Sequence, residues 1–220
     1  MLPMLTDLFR RNRIFFLLYA LLLVVMGVLQ IRYTQESLIQ WVNAHNSSVA
    51  DVFFTYVTYF GDGVFFVIVC VVLLIYNRRI GVMAFASLAL SSGASLFLKL
   101  IIFPDRLRPL KFFEHSTYQY RIIEGLNIYS YNSFPSGHTT TAFAVFSLLV
   151  FIDKSRDRGW FWLLLAALTG YSRVYLFQHF VEDAYAGSLI GTTASVLVYL
   201  TLRRWVRYPR ASAAAADRRW

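Results

Sequence analysis

Cysteine is all but absent: Cys70 is the one thiol in 220 residues. Without a partner it forms no intramolecular disulfide, and metal centres built from several thiolates are excluded with it. Its neighbours, Val67-Ile68-Val69 and Val71-Val72, are apolar, so it is expected to serve as a small core or lipid-facing side chain. Charge is scarce too. Asp, Glu, Lys and Arg make up only 15% of residues, against 58% hydrophobic and 18% aromatic, and mean hydropathy is +0.53. That excludes an ordinary soluble domain and fits a polytopic membrane protein. Acidic groups are the scarcer sign, 12 against 21 Lys and Arg, for a net charge of +9. In so apolar a chain the basic excess is expected to set membrane orientation and attract anionic head groups, not to bind nucleic acid. No internal repeat is visible, which argues against an inverted-repeat transporter. No small-residue cleavage site follows the first apolar stretch either, since Gln30-Ile31-Arg32-Tyr33 is a poor candidate. The stretch behind Arg10, Arg11 and Arg13 is therefore read as a retained helix.

A helix needs about 20 apolar residues to cross the hydrocarbon core. Six stretches approach that length: Ile14 to Ile31, Val64 to Tyr76, Ile80 to Phe103, Thr139 to Ile152, Trp160 to Phe177 and Ala184 to Leu202. The short second and fourth can be extended by Val52 to Phe60 and by Phe134. The expected fold is all-α, a polytopic membrane helical bundle with six transmembrane helices forming one domain over residues 1–220. Lys and Arg divide unevenly between alternate sides. Arg10, Arg11, Arg13, Arg78, Arg79, Lys154, Arg156, Arg158, Arg203, Arg204, Arg207, Arg210, Arg218 and Arg219 fall on one side. Arg32, Lys99, Arg106, Arg108, Lys111, Arg121 and Arg173 fall on the other, fourteen against seven. The positive-inside rule puts both termini in the cytoplasm, with residues 203–220 as a basic cytoplasmic tail. The long Pro104 to Phe134 segment then faces outward, and a loop of that length in a compact protein is more often functional than idle.

Ionisable residues beside hydrophobic spans are a functional-site reading by default, and three clusters qualify. Pro135-Ser136-Gly137-His138 stands just before an apolar run, where Ser can cap a helix and Gly lets N–H groups approach an anion. In Ser172 to Asp183, the spacing of His179 and Asp183 puts both on one face if a helix begins near His179. The carboxylate would then fix the imidazole tautomer and leave the other nitrogen as nucleophile or base, while Arg173 offers a permanently charged fork that matches phosphate oxygens. The third cluster is Lys99 with Asp105-Arg106-Leu107-Arg108-Pro109. Each has a bland explanation alone, respectively a helix start, an Arg–carboxylate pair and a snorkelling Lys. All three fall on the same membrane face by the charge count. Asp62 is expected to cap a helix, Glu182 to turn away from His179, and His45 and His115 to be solvated or interfacial, without metal-ligand spacing.

These clusters resemble the type 2 phosphatidic acid phosphatase family, whose motifs are Lys with Arg-Pro after six residues, Pro-Ser-Gly-His, and Ser-Arg, five residues, His, three residues, Asp. The second matches at Pro135 to His138 and the third at Ser172, Arg173, His179 and Asp183. The first departs, because six residues after Lys99 stands Arg106 while the Arg-Pro pair is Arg108-Pro109. Arg108 is preferred since Pro fixes the turn after it, with Arg106 the substitute if spacing governs. The motif-bearing part is residues 99–183. The resemblance implies a membrane lipid phosphatase that uses no metal and no cofactor. His179 would attack phosphorus, Asp183 orient it and His138 protonate the leaving oxygen, while Lys99, Arg108, Arg173, Ser136 and Gly137, with Ser172 a lesser candidate, would hold the phosphate. It further implies a membrane lipid as partner; the charge count places the site on the outward face, and a short, one-cysteine, six-span chain suits a bacterial inner membrane. Undecaprenyl pyrophosphate ranks first among substrates, ahead of phosphatidic acid or phosphatidylglycerophosphate, lipid A, or phosphotransfer to another lipid. A transporter or flippase that keeps the fold is the non-enzymatic alternative, and oligomeric state has no sequence signal.

Overall fold

The computed structural model describes residues 2–153 and 155–207, and every regular element among them is helical. In chain order these are α1 (Leu2–Arg11), α2 (Arg13–Arg32), α3 (Gln35–Ala44), α4 (Ser48–Val57), α5 (Gly63–Tyr76), α6 (Arg78–Phe97), α7 (Pro109–Phe112), α8 (Gly137–Ile152), α9 (Gly159–Tyr175) and α10 (Val181–Arg207). Each of the six apolar stretches is a helix. The third continues through a π-helical turn, Leu98–Ile102, that carries Lys99. Among the described residues three helices have the length and composition of a membrane span: Arg13–Arg32, Arg78–Ile102 and Val181–Val206. A fourth is possible if Ser48–Gly61 and Gly63–Tyr76, bent by 54°, act as one broken span. The basic tail is helical through Arg207, and its remainder lies outside the described residues, as does Lys154.

At the centre stands α8. Nearly all its side chains are buried, as expected of a helix that is apolar all round, and α5, α6, α9 and α10 surround it. The tightest approach is α10 on α8. A Cβ added to Gly187 would lie 2.8 Å from the Ser136 carbonyl, and one added to Gly191 would collide with the Thr140 carbonyl. Two glycines four apart on one face let membrane helices pack backbone to backbone. Ser195 then donates to the Ala144 carbonyl at 2.7 Å and meets Ser87 of α6 at 2.7 Å, and Ser147 donates to Thr192 at 3.3 Å. This packing sets the start of α10 beside the start of α8, where two of the motifs lie.

The helices alternate in direction, which separates the charges. Arg203 reaches the Met4 carbonyl and Asp7, and Arg79 reaches the Trp205 carbonyl, so α1 and the starts of α2 and α6 share one end with the close of α10. The end of α6 and the starts of α8 and α10 form the other. Over that second end lies the pair α3 and α4; α4 overlaps the expected apolar extension from Val52 to Phe60, while α3 has no counterpart in the apolar pattern. Asn43 is doubly bonded to the backbone of Arg121, whose guanidinium grips Asp51, and Tyr175 donates to Asp51 at 2.7 Å. Phe113, Tyr120, Phe177 and Phe180 pack beneath this strap into a second apolar core.

Candidate active site

The turn that follows α9 places His179. Phe177 N–H bonds to the Val174 carbonyl at 3.0 Å and Gln178 N–H to the Arg173 carbonyl at 2.9 Å, the paired bonds of a Schellman cap. The residue at its left-handed position is Phe177, φ 58°, where glycine is usual. A bulky side chain there is a backbone outlier of the kind that gathers at functional sites, and it is held by burial against Phe113 and Tyr120. α10 starts at Val181, two residues past His179, so His179 stands just before the helix and not within its first turn. His179 and Asp183 meet all the same. Asp183 Oδ2 accepts from the Phe180 N–H at 2.9 Å, the backward half of a capping box, and lies 3.2 Å from His179 Nδ1.

Both groups are 1% exposed. Ser133, also buried, donates its hydroxyl proton to the same carboxylate oxygen and presents its own oxygen 3.4 Å from His179 Nδ1. With an acceptor-only carboxylate, Nδ1 carries the ring proton and Nε2 keeps its lone pair. Burial first, then the Arg108, Arg173 and Lys99 charges, push the His179 imidazole well below its ordinary range, so it rests neutral. Ser133 lies two residues before the Pro-Ser-Gly-His motif and was not singled out from sequence; nothing local marks a serine as bonded to a carboxylate fifty positions away.

The motif itself forms the start of α8. Ser136 caps it, its Oγ accepting from Thr139 N–H at 3.4 Å and from Thr139 Oγ1 at 2.9 Å, which leaves its own proton to give. Its N–H donates to the Asp183 carbonyl at 3.0 Å, tying α8 to α10. The N–H groups of Gly137 and His138 have no partner among the described residues, and space is open at Gly137, so the helix start presents free donors to an anion. His138 stands within electrostatic reach of Arg173, His179, Arg108 and Lys99.

Three cations close the ring. Arg173 is buried on α9; its Nη1 donates to Thr58 Oγ1 at 2.6 Å, and its Nε is buried with no partner. Arg108 is buried as well, donating through Nε to the Tyr131 carbonyl at 3.0 Å and through Nη1 to the Gln178 carbonyl and Oε1 at 3.3 and 3.2 Å. Gln178 Nε2 in turn holds the Asn127 carbonyl, so the residue before His179 joins Arg108 to Asn127 within the loop between Pro104 and Phe134. Burial pulls the Arg108 guanidinium below its ordinary value without discharging it. Lys99, half-buried in the π turn, interacts electrostatically with Arg108, Arg173 and Asp183. Such turns recur at functional sites.

A model of the PAP2 superfamily matches residues 80–207. The chain belongs to the PAP2 superfamily. Its described fold is similar to the crystal structure of Aquifex aeolicus LpxE, with TM-score 0.63 and 26% identity over 74% of this chain and 92% of that one. It is similar also to a transmembrane PAP2-type phosphatidylglycerolphosphate phosphatase from Bacillus subtilis, with TM-score 0.62 and 22% identity over 90% and 98%; the latter likeness bears on fold alone. Among curated proteins, the bacitracin transport permease protein BcrC of Bacillus licheniformis is 39% identical over 70 residues, 32% of this chain and 34% of that protein. The undecaprenyl-diphosphatase BcrC of B. subtilis is 37% identical over 71 residues, with the same two shares. Lipid phosphate phosphatase 1 of Arabidopsis thaliana is 34% identical over 82 residues, 31% of this chain and 25% of that protein. The matched stretch spans about a third or less of each curated relative.

In this PAP2 chain Arg173, His179 and Asp183 of the third motif lie beside the second motif at the start of α8, and of the two arginines of the first Arg108 is the buried one. Arg108 points into the ring. Arg106 lies on the rim, paired with Glu182 at 3.7 Å and over the Phe134 face, beside a cavity of about 390 Å³ that reaches Ser133 and Asp183. Ser172 also lies outside the ring, its hydroxyl turned back onto the Thr169 carbonyl at 2.6 Å. Asp62 caps α5 through the Val64 N–H, and Glu182 faces Arg106 rather than His179. His45 closes α3 on the Trp41 carbonyl, and His115 is exposed. No three His, Cys, Asp or Glu side chains among the described residues converge as metal ligands.

Proposed function

We propose that this PAP2 protein hydrolyses a membrane lipid phosphate or pyrophosphate without metal, through a phosphohistidine at His179, with undecaprenyl pyrophosphate as the leading substrate. The observation that carries the reading is the buried His179–Asp183 pair facing Arg173, whose buried Nε lacks a partner. An unpaired buried donor is costly unless a ligand completes it, and a phosphate oxygen is its natural complement. His179 Nε2 forms a bond to phosphorus as the bond to the leaving oxygen breaks, and His138, protonated once the bound phosphate offsets the Arg173, Arg108 and Lys99 charges around it, gives that oxygen a proton. Water then attacks phosphorus, His138 takes its proton, and the nitrogen–phosphorus bond breaks to release phosphate. Arg173, Arg108, Lys99, Ser136 and the N–H groups that open α8 stabilise the equatorial oxygens, since phosphoryl transfer asks chiefly for positioning and charge stabilisation. The separation of charges between bundle ends supports six spans, cytoplasmic termini and an outward-facing site in a bacterial inner membrane. The substrate ranking rests on the name of the B. subtilis relative.

The test is phosphate release in detergent with EDTA present. Undecaprenyl pyrophosphate, phosphatidic acid, phosphatidylglycerophosphate and a lipid A phosphate are compared side by side. The wild type is expected to act on at least one, and His179→Ala to lose about 10³-fold or more. A requirement for added metal, or full activity in His179→Ala, defeats the proposal.

A further inference from the structure

Arg173 is held by a residue from a distant part of the chain. Thr58, whose hydroxyl takes the Nη1 proton at 2.6 Å, lies where α4 gives way to a 3-10 turn, Thr58–Gly61, at the 54° bend before α5. That turn is wedged between the two helices that matter. A Cβ on Gly61 would stand 2.8 Å from Thr169 Cγ2 on α9 and closer still to the carbonyl of His138 on α8. The bend thus delivers one hydroxyl to Arg173 while bracing the first turn of α8.

The placement of that bond on the guanidinium is specific. Nη1 lies on the side of the fork nearest Cδ, so anchoring it leaves Nε and Nη2, the edge that makes two parallel bonds to an oxyanion. Nε on that edge is the buried atom with no partner. We infer that Thr58 is a positioning residue for Arg173, fixing the rotation of the guanidinium so that its free edge receives two phosphate oxygens. The inference rests on the phosphatase reading, because a phosphate is what the edge would meet. Losing a hydrogen bond that orients a charged group, if it is expressed in the transition state, corresponds to roughly 10- to 100-fold in rate.

The test uses full-length protein in detergent, with undecaprenyl pyrophosphate as substrate and orthovanadate as a mimic of the five-coordinate phosphoryl group. Thr58→Val keeps the shape and removes the hydroxyl; Thr58→Ser keeps the hydroxyl. Thr58→Val is expected to lower kcat about 10- to 100-fold with KM changed little, and to weaken vanadate inhibition in proportion. Thr58→Ser should restore most of both, and adding Thr58→Val to Arg173→Lys should weaken vanadate no further. Wild-type kcat in Thr58→Val, equal losses in Thr58→Ser, or losses that multiply with Arg173→Lys would each overturn the inference. A wild-type protein that turns over no lipid phosphate and ignores vanadate removes the phosphatase reading, and this inference with it.

Discussion

The two ends of the bundle hold charge in opposite ways. At the basic end Arg203 pairs with Asp7 at 2.8 Å, Arg11 with Asp7 at 2.9 Å, Arg158 with Asp153 at 3.1 Å, and Arg79 with the Trp205 carbonyl at 3.1 Å, most of them in contact with solvent. At the other end Arg173, Arg108, His179 and Asp183 are all less than 9% exposed, Lys99 and Arg108 act together on the Asp183 carboxylate, and an Arg173 guanidinium nitrogen goes unpaired. Exposed pairs contribute about 0–1 kcal/mol, whereas an uncompensated buried charge costs several. Charge at the basic end suits orientation in a membrane. The buried cations of the site are destabilising by themselves, and the proposed phosphate would compensate them.

The largest effect expected on that contrast comes from Arg173→Lys. An ammonium keeps the charge but not the fork, so kcat/KM should fall about 10²–10³-fold. A loss below about threefold, measured by phosphate release, would mean that charge alone suffices there. Gly191→Ala acts on packing instead. Its Cβ would meet the Thr140 carbonyl and stand 2.8 Å from Ala144 N, so α10 must move off α8, with about 1–3 kcal/mol lost from unfolding in detergent and activity falling with it. An unchanged melting midpoint would contradict the close approach.

Ser133→Ala removes one donor from Asp183 and should lower kcat about 10-fold. Nitrogen NMR of labelled histidine should find His179 neutral, with its proton on Nδ1, at about pH 6. The sign follows from its lowered pKa: the neutral form survives acidification through the ordinary imidazole range and is protonated only well below it. A charged His179 at that pH would sink the assignment. The smallest effect belongs to the basic end. Arg158→Gln should change stability by no more than about 0.5 kcal/mol and leave turnover as it was; a large loss would erase the difference between the ends.

Much of this arrangement is legible in the chain because its signals are local. Long apolar stretches mark the helices, and two compact motifs mark the start of α8 and the turn into α10. What escapes is tertiary. Arg106 and Arg108 are two residues apart and equally basic; Pro109 favours Arg108 in the sequence, but its capture by the Gln178 and Tyr131 carbonyls is visible only in the fold. His179 lies just before α10 and not within it, and a capping bond to the Phe180 N–H brings the Asp183 carboxylate round to it. Phe177 gives no sign of a left-handed cap, since burial and not glycine holds it there. Thr58 and Ser133 act across 115 and 50 positions, beyond the range of any spacing rule.

His179 as acceptor of the phosphoryl group is tested most directly by trapping it. Wild-type protein mixed briefly with undecaprenyl pyrophosphate labelled in its terminal phosphate, then quenched in base, should carry acid-labile, base-stable label on the peptide containing His179. His179→Asn should carry none. Turnover without label on the wild type, or label that persists in His179→Asn, would contradict the mechanism.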